Sequence, residues 1–133
     1  IREARWINST RPRYVVRKVL DASRTGSTRS IACFGLSYKA DIDDTRESPA
    51  LKLIELLQDE GADVTYHDAF VSELPEHGLS STELAPAGSD CVVIVTAHTG
   101  IDYDDLVERA PLVVDLRNAT RDNGTSNGKV WKL

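Results

Sequence analysis

Short apolar runs, separated by stretches of helical periodicity, set the frame of this chain. Ile31 to Phe34 is a run of strand length closed by Gly35. Val64 to His67 and Leu112 to Leu116 are two more, and Cys91 to Thr96 is the most convincing buried strand. Lys129 to Leu133 predicts a last strand at an edge. Between the runs the spacing turns helical. Tyr14, Val15, Val16, Val19 and Leu20 recur behind a Thr10 cap, with Pro12 near the first turn, and Gly26 ends that pattern. Ser48-Pro49 is a cap followed by a proline at the first helical position. Ala50 to Glu60 continues from it with leucines and Ile54 on a broad apolar face, and Gly61 stops it as a left-handed residue. Asp102 to Arg109 reads as a further helix. Residues 69–90 are polar and contain proline, with one short helix expected near Ser81 to Ala87. Apolar strands alternating with helices predict a sheet covered on both faces. The expected fold is therefore a three-layer, Rossmann-like, doubly wound α/β domain. Its mostly parallel sheet has five to six strands and is preceded by a helical arm. Ligands of such domains gather at the carboxyl ends of the strands.

Composition narrows the class. With 133 residues, 41% hydrophobic and 28% charged, the chain has the size and make-up of one globular domain that needs neither disulfide nor metal to hold a core. Its longest apolar run, Cys91 to Ala97, is far short of the ~18 residues that suggest a membrane span. The start carries no basic segment followed by an apolar core, so a cytoplasmic location is expected. The chain opens on Ile1 and contains no Met, which suggests a piece of a longer protein. Cys33 and Cys91 sit inside apolar runs and read as buried, reduced thiols. The net charge of −5 is unevenly placed: residues 1–29 carry +6 and the remainder −11. A basic arm can signal nucleic acid, but this one lacks glycine or aromatic interleaving and an acidic body follows it. We expect no nucleic acid. A solvated helix, or one whose stripe of Tyr14, Val15, Val19 and Leu20 packs on another part of a larger assembly, fits better.

The candidate chemistry lies in the connection from Phe34 to Ser48. Thirteen residues, Gly35 to Glu47, is long for a strand-to-helix loop, where about 2–6 is usual. Gly35 is not followed by the second and third glycines of a dinucleotide-binding turn, and no Walker loop is present. Side chains must supply any ligand contact. Lys39 offers a compact positive charge and Arg46 a planar fork suited to phosphate or carboxylate. Asp41, Asp43, Asp44 and Glu47 leave two other readings open: a self-paired surface loop, or carboxylates around a divalent cation, although no further oxygen-ligand pattern supports a metal.

The segment GLSYKADIDDTRESPALKLIELLQDEGADVTYHDAF resembles the strand–loop–helix–strand signature of the C-terminal domain of the UDP-glucose/GDP-mannose dehydrogenase family. SDCVVIVTAH is similar to that family's buried strand, PLVVDLRNATR to its Asp-x-Arg turn and KVWKL to its terminal strand. INSTRPRYVVRKVL is similar to the end of its central dimerisation region. The Lys-to-Ser loop is the specific part of the match.

The resemblance implies an oxidoreductase that takes the C6 alcohol of a UDP-sugar to a carboxylate in two hydride transfers to two NAD. A cysteine of the central region would form the covalent intermediate, and an N-terminal domain would hold most of the NAD. It further implies that Tyr38 and Lys39 contact the substrate, that Arg117 of the Asp-x-Arg turn contacts the nucleotide-sugar, and that Arg46 reaches the NAD. Residues 1–24 would end the dimerisation region of a homodimeric enzyme and residues 25–133 would form the UDP-sugar-binding domain. Asp-Leu-Arg-Asn-Ala-Thr and Tyr-His-Asp look closer to the N-acetylhexosamine branch than to the UDP-glucose branch. Neither Cys33 nor Cys91 resembles the catalytic cysteine, and the NAD fingerprint is missing. No catalytic residue is therefore assigned, and the chain alone is expected to be inactive. Read from the residues alone, Arg117 also admits pairing with Asp115, and His98 reads as structural. The alternative function is a stand-alone nucleotide-binding or regulatory α/β module; a third is an interaction domain whose basic arm binds a polyanion.

Overall fold

A computed structural model of the chain describes residues 16–19, 21, 30–36, 48–82, 89–121 and 129–132. The apolar runs form a five-stranded sheet. Its strands are β1 (Ser30–Phe34), β2 (Asp63–His67), β5 (Cys91–Ile94), β6 (Val113–Asp115) and β7 (Val130–Lys132). Their order is β2-β1-β5-β6-β7 and every pairing is parallel. Two helices are described in full, α1 (Pro49–Asp59) and α2 (Tyr103–Arg109).

Alternation along the strands divides the core into two layers, as a sheet covered on both faces requires. Ile31, Cys33, Val64, Tyr66, Cys91, Val93 and Val114 pack with Ala50, Leu53, Ile54 and Leu57 of α1. Ala32, Phe34, Val92, Ile94, Val113 and Val130 face Leu106 and Val107 of α2 and Ala110, which follows it. Burying each of these larger side chains contributes about 1.5–3 kcal/mol. Residues 16–19 are helical, and Val16 and Val19 join the α1 layer. Val19, expected on a stripe packed against another part of a larger assembly, is instead completely buried in this domain's own core.

The ends of α1 follow from local chemistry. The Ser48 side chain accepts the Ala50 amide and Pro49 holds the first helical position, where no amide partner is needed. At the other end Gly61, at φ +84°, donates to Gln58 while Ala62 donates to Leu57, so the last carbonyls are satisfied by a left-handed stop. In α2, Asp102 is the cap rather than the first helical residue and accepts the Asp105 amide.

Residues 69–82 depart from the expectation. They contain a two-stranded antiparallel ribbon, β3 (Glu73–Leu74) and β4 (Leu79–Ser80), around a 3-10 turn at Pro75–His77. Ser81, where a short helix was expected to begin, instead forms a parallel bridge with Tyr66, and Thr82 donates to the Tyr66 carbonyl. The edge position of β2 explains this: its outer backbone groups need partners, and the chain beyond the ribbon supplies them. The rest of that expected helix lies outside the described residues.

Candidate functional site

All strands run the same way, so their carboxyl ends share one edge. The chain leaves β1 for β2 on one side and places β5 on the other. The order therefore reverses between β1 and β5, and there an open α/β sheet has its ligand crevice.

Gly35 lies at this switch point. Its φ is +87°, and a Cβ built on it would stand 2.4 Å from the Thr96 carbonyl oxygen and 2.6 Å from the Thr96 Cβ. Only glycine lets the end of β1 come this close to the end of β5. Leu36 follows, and both of its polar backbone groups are held. Its amide donates to Asp68 Oδ2 at 2.7 Å, and its carbonyl accepts the Ser48 hydroxyl. The residues that bracket 37–47 are thus joined to each other and to the end of β2. Asp68 is itself buried. Oδ2 also bonds His98 Nε2 at 2.9 Å, and Oδ1 accepts the Phe70 amide at 2.8 Å. The His98 ring is buried beside the exposed Phe70, with ring centroids 4.9 Å apart, and its carbonyl accepts the Tyr103 hydroxyl.

A second cluster closes the other side of the edge. Asp115 ends β6 and is buried, yet its carboxylate gathers five donors. These are the amides of Arg117, Ala119 and Thr120, the Thr120 hydroxyl and Lys132 Nζ, at 2.7–3.2 Å. Burial alone would push this carboxyl up. The Lys132 ammonium, with the Thr120 and Arg117 hydrogen bonds, outweighs it and brings the pKa down to about 2. Lys132 also donates to Asn118 Oδ1 at 2.7 Å and to Thr120 Oγ1 at 2.9 Å. The turn these groups hold carries Arg117, whose Nε donates to the Val95 carbonyl at 2.9 Å, next to Thr96.

Of the residues singled out in the sequence, Arg117 lies at the carboxyl edge of the sheet, just after β6. Tyr38, Lys39 and Arg46 lie outside the described residues. His98, read as structural from the sequence, is buried and pairs with Asp68. Sequence reasoning passed over Asp68 and Lys132. The Tyr-His-Asp after the second strand was the available signal for Asp68. For Lys132 there was none, because its partners lie 12–17 residues away. The two thiols are buried, which pushes both up to about 12, so neither is a nucleophile in the folded domain. Among the described residues, no group of three or more His, Cys, Asp or Glu is placed to hold a metal, and no helix is long and apolar enough to cross a membrane.

A parallel, doubly wound sheet with buried polar anchors along its carboxyl edge defines the class: an α/β ligand-binding domain. Comparison with known proteins defines the family. Residues 32–122 match the UDP-binding domain of the UDP-glucose/GDP-mannose dehydrogenase family, and the chain belongs to that family. It is 35% identical over 142 residues to a UDP-N-acetyl-D-mannosamine dehydrogenase of Methanococcus maripaludis, covering 99% of this chain and 32% of that protein. It is 36% identical over 128 residues to a UDP-glucose 6-dehydrogenase of Rhizobium meliloti, covering 86% and 29%. The fold superposes on a UDP-N-acetyl-mannosamine dehydrogenase from S. aureus with a TM-score of 0.71 and 26% identity, over 91% of this chain and 30% of that one. The chain thus spans about a third of the length of the curated relatives it matches.

Proposed function

We propose that this chain is the substrate-binding domain of an NAD-dependent nucleotide-sugar 6-dehydrogenase, and that the UDP part of the sugar nucleotide lies along the carboxyl edge of the sheet. The observation that carries this reading is the match over residues 32–122, which spans the strand ends from Gly35 to Arg117. Tyr38 and Lys39 contact the nucleotide-sugar from the first loop, and Arg117 contacts it from the turn after β6. Arg46 serves the cofactor, which is held mainly by another part of the enzyme and accepts the hydrides. The pyrophosphate must give up water to bind, and charge-assisted donors replace that water. Residues 30–133 carry −11, so placed cations are needed to overcome a repulsive field. Residues 1–24 close the dimerisation region of a homodimer while Val16 and Val19 pack into the core of the binding domain, residues 25–133 form that domain, and the enzyme works in the cytoplasm. The N-acetylhexosamine branch is the better fit for the sugar, in line with the naming of the Methanococcus relative.

The test is steady-state kinetics of the complete enzyme with calorimetry of UDP-sugar binding. Lys39→Ala and Arg117→Ala weaken the UDP-sugar by about 1.5–3 kcal/mol each, roughly ten- to hundredfold. Arg46→Ala mainly raises the NAD requirement, and the 133-residue chain alone reduces no NAD. Unchanged UDP-sugar binding and turnover in Lys39→Ala would refute the site assignment.

A further inference from the structure

The turn after β6 has an unusual backbone. Asn118 and Arg121 both have positive φ, 58° and 54°, a region that costs an L-residue other than glycine about 1–2 kcal/mol. Such conformers persist where the surroundings over-determine them. Here the surroundings are Asp115 and Lys132. An ammonium has three donors, and Lys132 directs its own to Asp115, Asn118 and Thr120. Thr120 receives from Lys132 and passes its own proton to Asp115, so every acceptor in the cluster has a donor. Lys132 is a cation beside the ligand edge, yet its hydrogen bonds point into the turn. Arg117 stands at the head of that turn, its amide fixed by Asp115 and its Nε by Val95.

We propose that Lys132 is a positioning residue for nucleotide-sugar binding, acting through Asp115 and the 115–121 turn to set the place of Arg117. The proposal rests on the reading that Arg117 contacts the nucleotide-sugar. Without Lys132, Asp115 is a buried carboxylate short of its one charged partner. Asn118 and Thr120 lose a shared donor, and the left-handed backbone at Asn118 loses its hold. The Arg117 guanidinium then samples positions away from the pyrophosphate, and binding weakens although no ligand contact has been deleted.

The experiment is calorimetric titration of the complete protein with UDP, on Arg117→Ala, Lys132→Met and the double variant, with thermal melting alongside. Arg117→Ala is expected to weaken UDP roughly tenfold or more, the scale of one charge-assisted contact. Lys132→Met is expected to weaken it about three- to tenfold, and the double variant to bind like Arg117→Ala alone, because residues acting through one contact are not additive. In turnover, Lys132→Met raises KM for the nucleotide-sugar with kcat little changed. If Lys132→Met does not fold, Thr120→Val removes the shared hydroxyl at constant shape and carries the same expectation. Wild-type UDP affinity in a folded Lys132→Met or Thr120→Val protein overturns the proposal. So does a double variant whose losses multiply. If Arg117→Ala itself leaves UDP binding unchanged, the underlying site reading fails, a result distinct from failure of the positioning role.

Discussion

Replacing Gly35 with alanine tests the geometry of the switch point directly. Two penalties combine there. The φ of +87° is unfavourable for any residue with a Cβ, by about 1–2 kcal/mol. The added methyl would also lie 2.4 Å from the Thr96 carbonyl oxygen, a backbone atom that cannot swing aside. Relief requires β1 and β5 to part, and the strand ends are bound there: Val95 and Thr96 both donate to the Phe34 carbonyl. Overpacking of this kind costs about 1–3 kcal/mol. The total, about 2–5 kcal/mol, lowers the melting temperature of a domain this size by roughly 10 °C or more. Gly61→Ala supplies the control, since its φ is +84° but nothing lies within 4 Å of the added atom. It carries the conformational penalty without the clash. The assay is urea unfolding of both variants beside the wild type, followed by UDP titration of Gly35→Ala under conditions where it remains folded. Gly35→Ala should lose more stability than Gly61→Ala and bind UDP less tightly. Equal losses in the two variants would show that the approach of β1 to β5 imposes no steric demand, and the argument for glycine at this point would fall.

Two further outcomes can be measured on the same protein. Asp115 has a folded pKa of about 2 against an ordinary 3.8, so its ionised form stabilises the fold above pH about 4 and that contribution disappears as pH falls towards 2. The amount is about 2 kcal/mol, and acid unfolding of Lys132→Met should show a clearly smaller loss over the same window; an identical acid profile would count against the ion pair. Cys33 and Cys91 should both resist a thiol reagent at pH 8 in the native state and both react in urea, since burial holds each near 12; rapid labelling of either in the folded protein would contradict the packing.

The parts of the fold that local chemistry determines were legible in the sequence. A serine before a proline at the head of an apolar periodicity marks the start of α1, and Gly61 marks its end, because caps involve neighbours only. The apolar runs gave all five sheet strands for the same reason. The β3–β4 ribbon was not legible. Each strand has two residues, and Leu74 and Leu79 are the only apolar marks in it, so no period can emerge. The site divided in the same way. Arg117 stood out through the resemblance of its Asp-x-Arg turn to the family's, not through the residues alone, which equally suggested a pairing with Asp115. The partner of that acid is Lys132, from another strand, and no local pattern connects them. Asp68 and His98 are likewise 30 residues apart and meet only because β2 and β5 both end on the same edge.

The order of the sheet has a consequence for how the domain is made. Beyond β2, the sheet grows at one edge only: β5 adds to the free side of β1, then β6 beside β5 and β7 beside β6. A chain leaving the ribosome can therefore assemble its sheet in the order of synthesis, with no later strand inserted between two already paired. The strand that supplies Lys132 is the last to arrive, 17 residues after Asp115. Until it docks, a nascent domain has most of its core but an unfastened turn after β6. The turn is fastened only after Lys132 has emerged and docked, and a chain exposed only as far as residue 129 would present a largely folded sheet whose Arg117 turn lacks its clasp.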